Sequence, residues 1–208
     1  PILHKVEIFR FTVVSSNMVS KKQSLRFIPS SISLILLSES NRSARITIEK
    51  NKIMSIEKVK AYFATLGREK EVMEFPVSSA TVELAAQALS VEPARIAKTL
   101  SFQGEDENHC ILIVTAGDAK IDNSKFRHFF KMKARMLSPE KVAESTGHAI
   151  GGVCPFANPE GVRTYLDISL QRFDTVFPAC GSSNSAIELH CDELFRYALA
   201  IQWIDVCK

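Results

Sequence analysis

A break in composition near residue 53 constrains this chain more than any single motif. Residues 1–53 carry nine Lys and Arg against three Asp and Glu, with ten serines and no glycine. Residues 54–208 carry seventeen basic and twenty acidic side chains. Directly after the break, Met54-Ser-Ile-Glu-Lys-Val-Lys-Ala-Tyr-Phe opens an amphipathic pattern. A chain of 208 residues lies in the range of one domain with an appendage. One packed domain is therefore expected over residues 54–208. Residues 1–53 are expected to be an accessory or non-native extension. An organellar leader is a poorer fit, because arginine does not dominate and Glu7, Glu39 and Glu49 interrupt the segment.

Apolar residues make up 46% of the chain, enough for a core. No uncharged apolar run reaches 18 residues, so no membrane-spanning helix is expected. The five cysteines (Cys110, Cys154, Cys180, Cys191 and Cys207) form no CxxC pair and leave one over in any complete pairing. That usage points to a reduced, cytoplasmic protein. Neither histidines nor cysteines show zinc-ligand spacing, so no metal and no cofactor is expected.

Val59, Tyr62, Phe63 and Leu66 recur at helical spacing, and Gly67 is placed to end that helix. Ser78 or Ser79 is expected to cap a second helix through Leu89. Pro93 opens a short helix that runs to Lys98, and Thr99–Gln103 and Cys110–Thr115 read as strands around a polar turn. Asp122 and Ser138-Pro139 mark two further helix starts. Val162–Ile168, Thr175–Ala179 and Ser185–Leu189 read as strands, Asp192 as the cap of a last helix, and Trp203–Cys207 as a closing strand. Strands and helices mix without strict alternation, which favours an α+β fold with a mixed sheet.

Four places stand out chemically. Lys98, at a helix–strand junction, is either a snorkelling surface lysine or a ligand for a phosphate or carbonyl at a cavity edge. Gly151-Gly152-Val153-Cys154-Pro155 is either a tight loop or a cradle whose backbone amides meet an oxyanion. Asp167, at the end of an apolar strand, must be paired, capping or solvated. Gly181-Ser182-Ser183-Asn184-Ser185 is either a hairpin turn or a recognition loop. His148 beside the glycine loop is a candidate acid or base, and Cys154 a candidate nucleophile with no evident activating base.

In order along the chain, Ala94-Arg-Ile-Ala-Lys98, Ile113-Val-Thr-Ala-Gly-Asp118, Thr146-Gly-His-Ala-Ile-Gly151-Gly-Val-Cys-Pro155-Phe, Tyr165-Leu-Asp167 and Gly181-Ser-Ser-Asn-Ser resemble the YbaK/EbsC family. This is the prolyl-tRNA-synthetase-associated editing domain, also found as free-standing aminoacyl-tRNA deacylases. The resemblance covers residues 54–208. It implies a single compact α+β domain around a mixed, partly barrel-like sheet with flanking helices. It also implies hydrolysis of the ester of a mischarged tRNA. Lys98 matches the family's central lysine, Gly151 and Pro155 the ends of its GxxxP loop with Gly152 between them, and Asp167 an acidic position near the cleft. Val153, Cys154, His148, Gly181, Ser182 and Ser183 become expected substrate-lining residues. The implied partner is the acceptor end of an aminoacyl-tRNA, with prolyl-tRNA synthetase or another synthetase beside it. A non-catalytic tRNA- or nucleotide-binding module and a Cys-dependent hydrolase are the alternatives. The run Lys120, Lys125, Arg127, Lys131, Lys133 and Arg135 is either a local RNA-binding patch or a solvated helix face.

Overall fold

The computed structural model describes residues 55–76, 80–106, 109–148 and 151–208. The boundary expected near residue 53 lies outside the described residues, as do Ser78 and Ser79. Helix α1 covers residues 55–65 and buries Val59 and Phe63 completely, at a four-residue spacing. Gly67 ends it with φ +72°. Then follow β1 (Met73–Glu74), α2 (Val82–Leu89), β2 (Ile96–Gln103), β3 (Cys110–Ala116), α3 (Asn123–Phe130) and α4 (Pro139–Thr146). The second half comprises β4 (Val162–Asp167), β5 (Thr175–Pro178), β6 (Ser185–Ala186), β7 (Leu189–His190), α5 (Cys191–Tyr197) and β8 (Trp203–Ile204).

Local chemistry sets most of these starts. Asp122 accepts the amides of Ser124 and Lys125 at 2.8 and 3.0 Å and so begins α3. Ser138 accepts the amide of Lys141, with Pro139 as the first helical residue of α4. Two expected caps move. Thr81 Oγ1 receives the Leu84 amide and caps α2. Helix α5 is capped at His190, whose N–H reaches Glu193 Oε2 at 3.0 Å, and Asp192 falls inside the first turn. The expected strand Ser185–Leu189 is two strands, because β6 pairs with β1 whereas β7 pairs with β5. The chain changes partner between them.

The main sheet has the order β7-β5-β2-β3-β4-β8 and curls into a half-barrel. It is mixed: β2–β3 and β5–β7 are antiparallel, while β2–β5, β3–β4 and β4–β8 are parallel. All seven residues of β3 are buried, which is why that segment reads as a continuous apolar run. Each large aliphatic side chain buried there contributes roughly 1.5–3 kcal/mol. This is the expected α+β single domain.

One edge is closed in an unusual way. Strand β2 pairs with β5 only through Ile96 and Ala97. Farther along, the segment after α3 takes that edge: the Gln103 amide donates to Arg135 O at 2.8 Å, and the Leu137 amide donates to Ser101 O at 3.1 Å. Phe102 stands opposite Met136. Among the described residues no helix is long and apolar enough to cross a membrane.

Candidate active site

A cavity of about 460 Å³ opens beside the first half of β2. Part of its wall is apolar: Val82, Ala85 and Leu89 of α2, Ile96 of β2 and Phe177 of β5, which pack with Ala86 as a small satellite core. Polar groups enter from β2 (Lys98, Thr99, Ser101) and from the loops carrying Gly151, Val153 and Ser182. No histidine, cysteine or carboxylate lines it among the described residues.

Lys98 is not at a helix–strand junction. The expected helix is a single 3-10 turn, Pro93–Arg95, and Lys98 is the third residue of β2, opposite Thr115. Its half-buried ammonium donates to Gly117 O at 2.8 Å and to Ala119 O. An ammonium has three N–H donors, so one remains for a ligand. Burial pulls the Lys98 pKa below the usual lysine value, and nearby Asp118 and Glu83 oppose that shift. On the same strand, Thr99 Oγ1 is buried on the cavity wall with no hydrogen-bond partner among the described residues. Sequence reasoning missed it, since an ordinary strand threonine carries no signal.

The two glycine loops meet backbone to backbone. Gly151 adopts φ +81°, a conformation that L side chains resist. A Cβ on Gly152 would stand 2.8 Å from the Gly181 carbonyl group and the Ser182 Cα. Gly181 in turn abuts the Ser55 carbonyl, and Ser55 Oγ lies 2.6 Å from His148 Nδ1. Ser55 in the first turn of α1 thereby braces both loops. Its partners lie about a hundred residues away, so no local pattern marks it.

Successive residues of the first loop divide their tasks. Gly151 and Val153 line the cavity, while Gly152, Cys154 and Pro155 are buried behind it. The N–H groups of Gly152 and Val153 have no partner among the described residues. Ser182 lines the cavity with its hydroxyl 2.8 Å from Ser185 Oγ and 3.1 Å from Asn184 Oδ1. Asn184 Nδ2 donates to Phe75 O at 2.8 Å, which braces this turn against the end of β1. Ser183 is not on the cavity wall and lies beside Gly151.

Cys154 and His148 are neighbours, with Sγ 3.5 Å from Nε2. Both are completely buried and neither lines the cavity. Burial pushes the Cys154 thiol up to about 12 and the His148 imidazole down to about 4. A reactive cysteine needs the reverse pair of shifts. The contact belongs to the support of the loop.

Asp167 is expected near the cleft and is not there. Its carboxylate, 1% exposed, accepts the amides of Ser169 and Val206, each at 2.9 Å. It caps the turn Ile168–Arg172 and ties down the segment after β8. It borders a separate depression of about 390 Å³ with Asp118, Arg172 and Lys208. Among the described residues no group of three or more His, Cys, Asp or Glu is arranged to hold a metal ion.

Three relatives share this architecture or sequence. The protein YwhH of Bacillus subtilis (strain 168) is 58% identical over 155 residues, 74% of this chain and 98% of YwhH. A proline--tRNA ligase of Leuconostoc citreum (strain KM20) is 31% identical over 88 residues, 42% of this chain but only 15% of the ligase. The crystal structure of a candidate trans-editing enzyme for prolyl tRNA synthetase superposes with a TM-score of 0.67 at 32% identity, covering 74% of this chain and 97% of that one. Residues 77–197, which hold Lys98, both glycine loops and every described residue of the cavity wall, match the model of the aminoacyl-tRNA editing domain, and the chain belongs to that family.

Proposed function

We propose that this protein is a free-standing, trans-acting aminoacyl-tRNA deacylase, hydrolysing the ester between a wrong amino acid and the 3′-terminal adenosine of a mischarged tRNA of the tRNA-Pro or a related type. One observation carries the reading: a single cavity combines a cation, a glycine-built main-chain wall and an apolar recess, and among the described residues no histidine, cysteine or carboxylate lines it. Water therefore serves as the nucleophile. It attacks the ester carbonyl carbon, the bond to the ribose oxygen breaks, and that oxygen takes up a proton. The N–H of the wall residue Val153, which has no partner among the described residues, is suited to the developing oxyanion. The remaining N–H of Lys98 is available to the terminal phosphate or the ester. The apolar recess between α2 and β5 receives the amino-acid side chain.

The cysteine-hydrolase alternative finds no support in a fully buried thiol of raised pKa. The non-catalytic module remains the competing reading. A panel of mischarged tRNAs separates the two. Release of amino acid from at least one of them above the spontaneous rate, lost in Gly151→Val, is expected. Tight tRNA binding with no release from any member overturns the hydrolase.

A further inference from the structure

We infer that the segment Lys131–Leu137 seats the single-stranded 3′ end of the RNA, with Lys131, Lys133 and Arg135 meeting its phosphates; the inference rests on the deacylase reading above. Exposure alternates along this segment. Lys131, Lys133 and Arg135 are exposed, whereas Met132 and Ala134 pack against the core. The main chain is fixed to β2 at Arg135 and Leu137, so the row of cations is held on a firm support. Its next residues, Met136 and Leu137, are part of the cavity wall. Met136 is 64% exposed.

The charges are unspent. Arg68, Arg95, Arg163 and Arg172 are all held in ion pairs. Among the described residues Lys131, Lys133 and Arg135 have no such partner. The rim at α2 carries the opposite sign: the first turn of that helix presents the exposed Glu83. A strand whose aminoacylated end lies in the cavity must leave across one rim. The rim at Met136 and Leu137, continued outward by the cations of residues 131–135, is suited to attract phosphates. This placement also shows how residues 54–208, with more acidic than basic side chains, can hold an RNA end: the positive charge is local and adjoins the cavity.

The test separates binding from hydrolysis. Anisotropy titrations of uncharged tRNA between about 50 and about 200 mM salt compare the wild type with Lys131→Gln/Lys133→Gln/Arg135→Gln. A control, Lys58→Gln/Lys70→Gln/Arg196→Gln, removes equal charge elsewhere, and circular dichroism checks that each variant is folded. The triple variant in segment 131–137, the strap variant, is expected to bind about tenfold or more weakly at the lowest salt. Its slope of log affinity against log salt should shrink by about 2, at ~0.7 per lost single-strand contact. The control should keep the wild-type slope. An unchanged slope in the strap variant, an equal loss in the control, or a wild type that does not bind tRNA overturns the inference. Absence of hydrolysis by a wild type that shows this salt signature counts against the deacylase reading alone.

Discussion

Lys98 and Asp167 are both charges set into strands of one sheet, and their surroundings differ. Asp167 is buried and its carboxylate is occupied by two amides, from Ser169 and Val206. Lys98 is half-buried, engages two carbonyls and keeps a donor beside a cavity. A buried charge that is fully satisfied supports the fold. One left with an unused donor at a cavity wall is equipped to meet a ligand. The contrast explains why the two residues, similar as sequence features, have different consequences when replaced.

The largest expected effect tests the Lys98 side. Lys98→Met keeps most of the aliphatic stem and removes the donors, and deacylation is expected to fall roughly a hundredfold or more, with the circular dichroism spectrum retained. Activity lost only in step with the folded fraction would erase the distinction from Asp167.

Next comes pH, acting through the support behind the loop. His148 has a folded pKa of about 4, below its ordinary value of 6.5, because burial disfavours the imidazolium. Between those values the unfolded chain binds a proton that the folded chain does not. The stabilising contribution is therefore complete above pH 6.5 and is lost as pH falls toward 4, amounting to about 3 kcal/mol. Urea melts at a series of pH values should show this slope in the wild type and a shallower one in His148→Gln.

Asp167→Asn sharpens the comparison from its other end. Replacing a charged acceptor of two amides is expected to cost about 1–3 kcal/mol of stability, with kcat per folded molecule unchanged. A fall in kcat without a fall in stability would return Asp167 to the site. The smallest effect is expected of Cys154→Ala, whose backbone N–H survives: less than about threefold in rate. In the wild type, iodoacetamide should leave Cys154 unmodified until the chain unfolds, and a trapped acyl adduct on its sulfur would replace the water mechanism by a covalent one.

What was legible in the sequence had local causes. Asp122 and Ser138 announce their helices because the amides they cap lie two or three residues ahead. The all-buried β3 is a continuous apolar run. The two glycine loops were each legible as turns, but that Gly151, Val153 and Ser182 reach the cavity while Gly152 packs against Gly181 depends on their contact in space. The misses depend on distant partners. Asp167 gives no sign of Val206, 39 residues on, and His148 none of Ser55. The 3-10 turn Pro93–Arg95 looked like a longer helix because Ala94, Ile96 and Ala97 suit either state, and pairing with Phe177 and Pro178 decides for the strand. The split between β6 and β7 likewise follows from a change of partner that no local pattern encodes.

The closure of β2 by residues 135–137 reaches beyond the cavity. An uncovered strand edge offers its amides and carbonyls to any extended chain in solution, including another copy of the same protein. Here the Gln103 amide and the Ser101 carbonyl are already taken from within. Their cover is a row of lysine and arginine that repels its own kind. Conditions that detach this segment would leave a molecule with an intact β3 and an open β2, able to add strands from its neighbours. Loss of solubility should then precede loss of secondary structure.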